Sequence, residues 1–217
     1  MDDLTIHHDM HPPAARSPGW LAGLIAARMC HDIVSPLGAV GNGLELLLMS
    51  GDFPGIAKSA ELQLIQESLA AAGARVRCFR MAFGQGAPDQ RLSLAELAAL
   101  IADLERGGRL RLRLDAQGDL PRPEAQMILL ALMCLETAMP WGGSVLICRG
   151  ARGWRLVAEA SRTRCDPALW AWLGGGTVAP SQPAPSEVHF VALATCAAET
   201  GRVLHWDLDD QGGEISF

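Results

Sequence analysis

His31-Asp-Ile-Val-Ser-Pro-Leu-Gly-Ala-Val-Gly-Asn-Gly-Leu-Glu-Leu-Leu47 carries apolar side chains at Ile33, Leu37, Val40, Leu44 and Leu47. The steps between them alternate four and three residues, which lines all five along one face of an α-helix. The helical pattern runs from about Pro18 to Ser50 and is broken by Gly51-Asp-Phe-Pro-Gly55. A second run, from about Ile56 to Phe83, repeats the spacing with Leu62, Ile65, Leu69, Ala72, Val76, Phe79 and Phe83. Two such helices joined by a short turn make an antiparallel hairpin. One hairpin covers only part of two apolar stripes. The pattern therefore predicts a homodimer in which residues 18–83 of both copies close a four-helix bundle.

Working outward, residues 1–17 read as a flexible, polar N-terminal tail. His7, His8 and His11 there, with Asp9, could also ligate a metal. No metal site is expected on that basis. Residues 84–90, Gly-Gln-Gly-Ala-Pro-Asp-Gln, read as a linker. Beyond it the periodicity changes, and residues 91–217 form a second domain. Ser93-Leu-Ala-Glu96 is a capping-box pattern that opens a helix with Leu97, Leu100, Ile101 and Leu104 inward. Arg109 to Leu114 alternates strictly, as a half-buried strand does. Pro123 starts an apolar helix to about Met139. A hairpin is expected across Gly150-Ala-Arg-Gly153, then a short helix over Asp166–Leu173. Ser186 is placed to cap a helix that ends at Gly201, and two strands finish the chain. The order α-β-α-β-β-α-α-β-β predicts a two-layer α/β sandwich behind the helical hairpin.

Composition narrows the function. The 217 residues carry a net charge of −6, which argues against a general nucleic-acid binder. Met127–Leu135, the longest apolar run, is far short of the about 18 residues that span a bilayer, and from the acidic Met1-Asp2-Asp3 start no signal peptide is expected. The six cysteines are scattered without a C-x-x-C pair, so buried free thiols in a reducing cytoplasm are expected. Lys58 is the single lysine among 18 basic residues, which leaves little for a lysine-based phosphate cradle.

On a helical wheel His31 falls opposite the apolar stripe, among Leu24, Arg28, Ser35, Gly38 and Asn42. This is a polar face with small residues, open to a partner. Imidazole is both a neutral nucleophile near pH 7 and a carrier of a labile phosphoryl group. Asp32 and Arg28 stand where they could orient the ring or meet a phosphoryl charge. Pro36 removes the helical partner of the Asp32 carbonyl and should bend the helix one turn beyond His31. A surface histidine without a role remains the plain alternative.

His31-Asp-Ile-Val-Ser-Pro-Leu37 resembles the H-box of two-component histidine kinases, and the order of the second domain resembles their ATP-binding fold. The nucleotide motifs depart from that family. The run Cys134-Leu-Glu-Thr-Ala-Met-Pro140-Trp-Gly-Gly143 puts Cys134 where the kinases have a Mg²⁺-binding Asn. Ser161 and Thr163 stand where glycines of the next box belong, and no glycine precedes the last helix over Pro185–Val188. An intact H-box with a degenerate ATP site resembles the ChpT-type histidine phosphotransferases. That resemblance implies a phosphoacceptor at His31 and a phosphoryl group arriving from the receiver domain of a hybrid kinase and leaving to response regulators. It further implies no bound ATP, with Mg²⁺ supplied by the receiver. An ATP-dependent histidine kinase, or a non-catalytic dimer that sequesters a kinase or regulator, are the competing readings. If His31 is not the acceptor, His189 or His205 comes next.

Overall fold

A computed structural model describes residues 18–84, 89–174 and 181–217. The expected N-terminal tail and its histidines, and the middle of the linker, lie outside the described residues.

Helix α1 (Pro18–Met49) runs unbroken through Pro36. A turn and a short 3₁₀ segment over Ile56–Lys58 lead to α2 (Ala60–Phe83). Gly51 and Gly55 take positive φ there, the conformation that lets the chain reverse within a few residues. Ser59 starts α2 by accepting a hydrogen bond from the Leu62 N–H at 3.2 Å. The helices pack antiparallel, and Gly41 on α1 lets the Leu69 side chain of α2 come close. Leu37, Leu44 and Leu47 are half-buried, whereas Ile33 and Val40 of the same stripe stay exposed, Val40 at 50%. On α2, Leu62 and Val76 are buried while Ile65 and Phe79 are exposed. The hairpin thus leaves an apolar flank uncovered.

The second part holds β1 (Arg91–Ser93), α3 (Leu94–Arg106), β2 (Leu110–Asp115), β3 (Asp119–Pro121) and α4 (Arg122–Ala138). After these come β4 (Gly143–Gly150), β5 (Gly153–Glu159), α5 (Pro167–Trp170), α6 (Val188–Glu199), β6 (His205–Leu208) and β7 (Gly212–Ser216). The Ser93/Glu96 capping box forms as expected, with Glu96 also accepting from the Ser93 N–H. Five strands make one sheet in the order β2-β4-β5-β7-β6. β2 and β4 are parallel, joined by a crossover through α4, and the other pairs are antiparallel. Helices cover one face, and the core lies between. Ile147, Trp154, Leu156 and Ile215 of the sheet meet Leu97, Met127, Leu130, Leu135, Phe190 and Leu193 of the helices.

Three sequence expectations need correction. Two short strands, β1 and β3, form a separate antiparallel pair with Leu92 opposite Leu120. Ser186 does not cap α6: it sits inside a 3₁₀ turn over Pro185–Glu187, where the Ala184 N–H donates to the Glu187 carboxylate at 2.9 Å. All six cysteines are free, but only four are buried, since Cys165 is exposed and Cys148 half-buried.

A buried polar group organises the sandwich. The Glu124 carboxylate, at the start of α4, accepts from Trp154 Nε1–H at 2.7 Å and from Arg202 Nη2 at 2.5 Å. A carboxylate taken out of water is tolerated only with such charged and hydrogen-bonding partners.

Candidate functional site

His31 projects from α1 with its side chain 76% exposed. Its Nδ1 lies 3.3 Å from Asp32 Oδ1. Asp32 is itself held by Arg28 one turn earlier, whose Nε–H donates to Asp32 Oδ2 at 2.8 Å. A carboxylate only accepts, so this contact places the ring proton on Nδ1. Nε2 is left with its lone pair facing outward, which is the arrangement a nucleophile needs. Arg28, Ser35, Gly38 and Asn42 are exposed on the same side of the helix. A side chain added at Gly38 would meet nothing within 4 Å, so the stripe is open there. The side chain of Leu24 lies outside the described residues.

The other histidines named by the sequence fare differently. His189 is 3% exposed, held between α6 and α4, and cannot meet a partner. His205 is exposed at the edge strand β6.

The residues at the kinase nucleotide positions do not fit a Mg-nucleotide. Cys134 is fully buried in the core, and burial pushes its thiol pKa well up, away from any metal-binding thiolate. The segment with Ser161 and Thr163 is tied down instead of leaving backbone free for phosphates. Ala160 N–H donates to the Gln211 carbonyl at 2.8 Å, Thr163 N–H to Asp210 at 3.0 Å, and Arg164 N–H to Ala138 at 2.8 Å. His189 adds a bulky ring where α6 begins, with Nε2 3.1 Å from Thr137 Oγ1 of α4. The sequence missed this, because nothing in an apolar helix tells which side carries a buried imidazole.

Among the described residues no three His, Cys, Asp or Glu side chains gather as a metal cluster, and no helix is long and apolar enough to cross a membrane.

The family model for the histidine phosphotransferase C-terminal domain matches residues 94–212. A curated relative, protein phosphotransferase ChpT of Brucella abortus (strain 2308), is 31% identical over 140 residues, which are 64% of this chain and 65% of the relative. The match thus spans somewhat less than two thirds of that protein. A solved 1.7 Å structure of a bacterial phosphotransferase superposes with a TM-score of 0.66 at 24% identity, covering 94% of this chain and 98% of the other, so the two share a fold. The histidine kinase domain of a blue-light activated kinase from Erythrobacter litoralis EL346 gives a TM-score of 0.44 at 16% identity over 71% of this chain and 82% of its own. The chain belongs to the histidine phosphotransferase family, and the α/β sandwich behind its helical hairpin is that family's C-terminal domain.

Proposed function

We propose that this chain is a phosphohistidine carrier of a two-component phosphorelay, with His31 as the group that accepts and releases the phosphoryl. The observation that carries the reading is the exposed His31 ring with Nδ1 on Asp32 and Nε2 free. In the forward step Nε2 attacks the phosphorus of an aspartyl phosphate on a receiver domain. The P–O bond to the aspartate breaks, its electron pair stays on the leaving carboxylate, and a P–N bond forms. The proton remains on Nδ1, so the phosphorylated ring is cationic and lies against the Asp32 carboxylate. In the reverse step a second receiver's carboxylate attacks, and the ring leaves as neutral imidazole. No proton needs to move in either direction. Phosphoryl transfer of this kind is mostly positioning and charge neutralisation. The receiver brings the Mg²⁺, and this chain supplies an oriented ring and a surface to dock on.

The working form is a homodimer. The exposed Ile25, Met29, Ile33 and Val40 of α1, with Ile65 and Phe79 of α2, give an apolar flank that a second hairpin would bury as a four-helix bundle. Autokinase activity is not part of the reading, since Cys134 stands buried where the kinases have a Mg²⁺-binding Asn and no glycine-rich segment precedes α6 over Pro185–Val188. Calorimetry with Mg-ATP should give no saturable heat.

The test is transfer of labelled phosphoryl from purified phosphorylated receivers of hybrid kinases, and from the labelled protein to response regulators. Wild type becomes labelled and passes the label on. His31→Ala, whose side chain points to solvent, stays folded by circular dichroism and takes none. A folded His31→Ala protein that still accepts label would move the acceptor to another residue, His205 first. A wild type labelled by ATP alone would revive the kinase reading, and one never labelled would leave a sequestering dimer.

A further inference from the structure

The sandwich is fastened to α2 at the height of His31. Gly41 faces Leu69 across the hairpin, so His31, ten residues earlier on the antiparallel α1, stands level with Phe79. The ties between α2 and the sandwich bracket that level. On one side Arg75 and Glu136 of α4 form a two-pronged ion pair, with Nη1–H donating to Oε2 at 2.8 Å and Nη2–H to Oε1. On the other side Gln126 Nε2 donates to the Ala82 carbonyl at 2.9 Å and Arg122 Nη2 to the Gly84 carbonyl at 3.1 Å. Arg77 adds a bond to Asp103 of α3 at 2.8 Å. Along the same stretch of α2, Ala74, Cys78 and Ala82 are buried in the same core as the sandwich helices. Their burial is deep enough to push the Cys78 thiol up to about 12.

Of the other links, two run from a side chain to a backbone carbonyl, Arg77–Asp103 is an ion pair to α3, and the rest is packing of small side chains. The Arg75–Glu136 pair differs from Arg77–Asp103 because both prongs are made and because it is the more buried of the two, Arg75 38% and Glu136 20% exposed. A planar guanidinium gripped at both nitrogens fixes direction as well as distance, so it resists the rocking that apolar packing permits.

We infer that Arg75 and Glu136 are positioning residues: their ion pair holds the sandwich and the hairpin as one rigid body, so that a receiver reaching His31 meets a fixed sandwich surface at the same height. The step rests on the phosphoryl-carrier reading of His31. It explains the use of a kinase-like domain without a nucleotide site. Such a domain is a second wall of the docking site, and a wall must not swing.

Arg75→Glu, Glu136→Arg and the exchanged pair carrying both changes test this in the full chain, with Arg75→Gln as the milder variant. Three readouts are compared. The first is nitrogen relaxation, which gives the tumbling time of hairpin and sandwich amides separately. The second is the receiver concentration that half-saturates transfer to His31. The third is labelling by phosphoramidate, a small donor that needs no docking: its P–N bond breaks, ammonia leaves, and a new P–N bond forms to Nε2. Wild type tumbles with one time. In each single variant the sandwich tumbles faster, and the half-saturating receiver concentration rises about ten-fold or more, the scale expected when docking groups are misplaced by an ångström. Phosphoramidate labelling is unchanged, and the exchanged pair restores both other readouts. Single variants that keep one tumbling time and wild-type half-saturation would overturn the inference. So would an exchanged pair that restores neither, or phosphoramidate labelling that falls in step with receiver transfer. A wild type that no receiver labels would refute the carrier reading instead, and the tumbling times would still decide whether the pair holds the two parts together.

Discussion

Acid should weaken this protein through His189. Thr137 Oγ1 already donates its hydrogen to the Met133 carbonyl at 3.0 Å, so at 3.1 Å His189 Nε2 must be the donor in the contact between them. The bare lone pair then sits on Nδ1, which is buried without a partner. The neighbouring Phe190 ring lies 4.8 Å away, centre to centre, and offers a proton nothing. Burial therefore pulls the pKa down to about 4, and the more distant Glu136 and Glu187 only partly oppose it. In the unfolded chain an imidazole titrates near 6.5. The depressed folded value means the unfolded state takes up the proton first as the pH falls. The stability tied to the neutral ring is thus complete above about pH 6.5, declines from there to about pH 4, and is gone below. A gap of about 2.5 pH units is worth about 3 kcal/mol in all, of which about 2 kcal/mol is lost by pH 5. His189→Gln keeps a donor for Thr137 and removes the titration. Urea unfolding followed by the buried Trp154 and Trp170, at pH 7 and pH 5, separates this from the carboxylates both proteins share. Wild type should lose about 2 kcal/mol more than His189→Gln over that interval. Equal losses would refute the reasoning.

Glu124→Leu should cost about 2–4 kcal/mol in calorimetric melting, because the Trp154 N–H is left buried without an acceptor and Arg202 loses its partner; Glu124→Gln, which can still accept from Trp154, should cost about half of that, and a cost below 0.5 for the leucine would be inconsistent with it. Val40→Glu together with Phe79→Glu places charge on the uncovered flank and should shift the mass by light scattering toward the 23.1 kDa of one chain; a wild type already of that mass would discount the bundle. Gly38→Arg meets open space, so circular dichroism and melting should match wild type while receiver transfer falls at least ten-fold and phosphoramidate labelling holds; unchanged transfer would remove Gly38 from the docking stripe.

Where the sequence was legible, local chemistry and final contact coincide. The four-and-three spacing of α1 and α2 describes a face that exists within each helix, so the hairpin could be read before any partner was known. The same holds for the Ser93/Glu96 cap, which closes within one turn. The alternation of Arg109–Leu114 gave a strand but not its neighbour, because β2 pairs in parallel with β4 across the whole of α4, and parallel order is not written in either strand. β1 and β3 are three residues each, too short for a period, and exist because Leu92 and Leu120 meet. The Ser186 cap failed since Glu187 reaches back to the Ala184 N–H and winds a tighter turn first.

The candidate site divides along the same line. His31, Asp32 and Arg28 lie within one turn, so their relation follows from helix geometry alone, and the three come together as a chain of contacts. His189 could be offered as an acceptor only because its burial comes from packing against distant segments, among them α4, where it meets Thr137, 52 residues away in the chain. Arg75 and Glu136, 61 residues apart, left no trace in the sequence for the same reason. Yet those long-range pairs decide what the local constellation can be used for. An exposed imidazole on a helix reacts with any phosphoryl donor that reaches it. Selectivity for a protein donor requires surface held at a fixed distance from the ring, and only contacts between distant segments can hold it. On the carrier reading proposed above, the local motif supplies the chemistry, while the seam between α2 and α4 is where its specificity for partners should be sought.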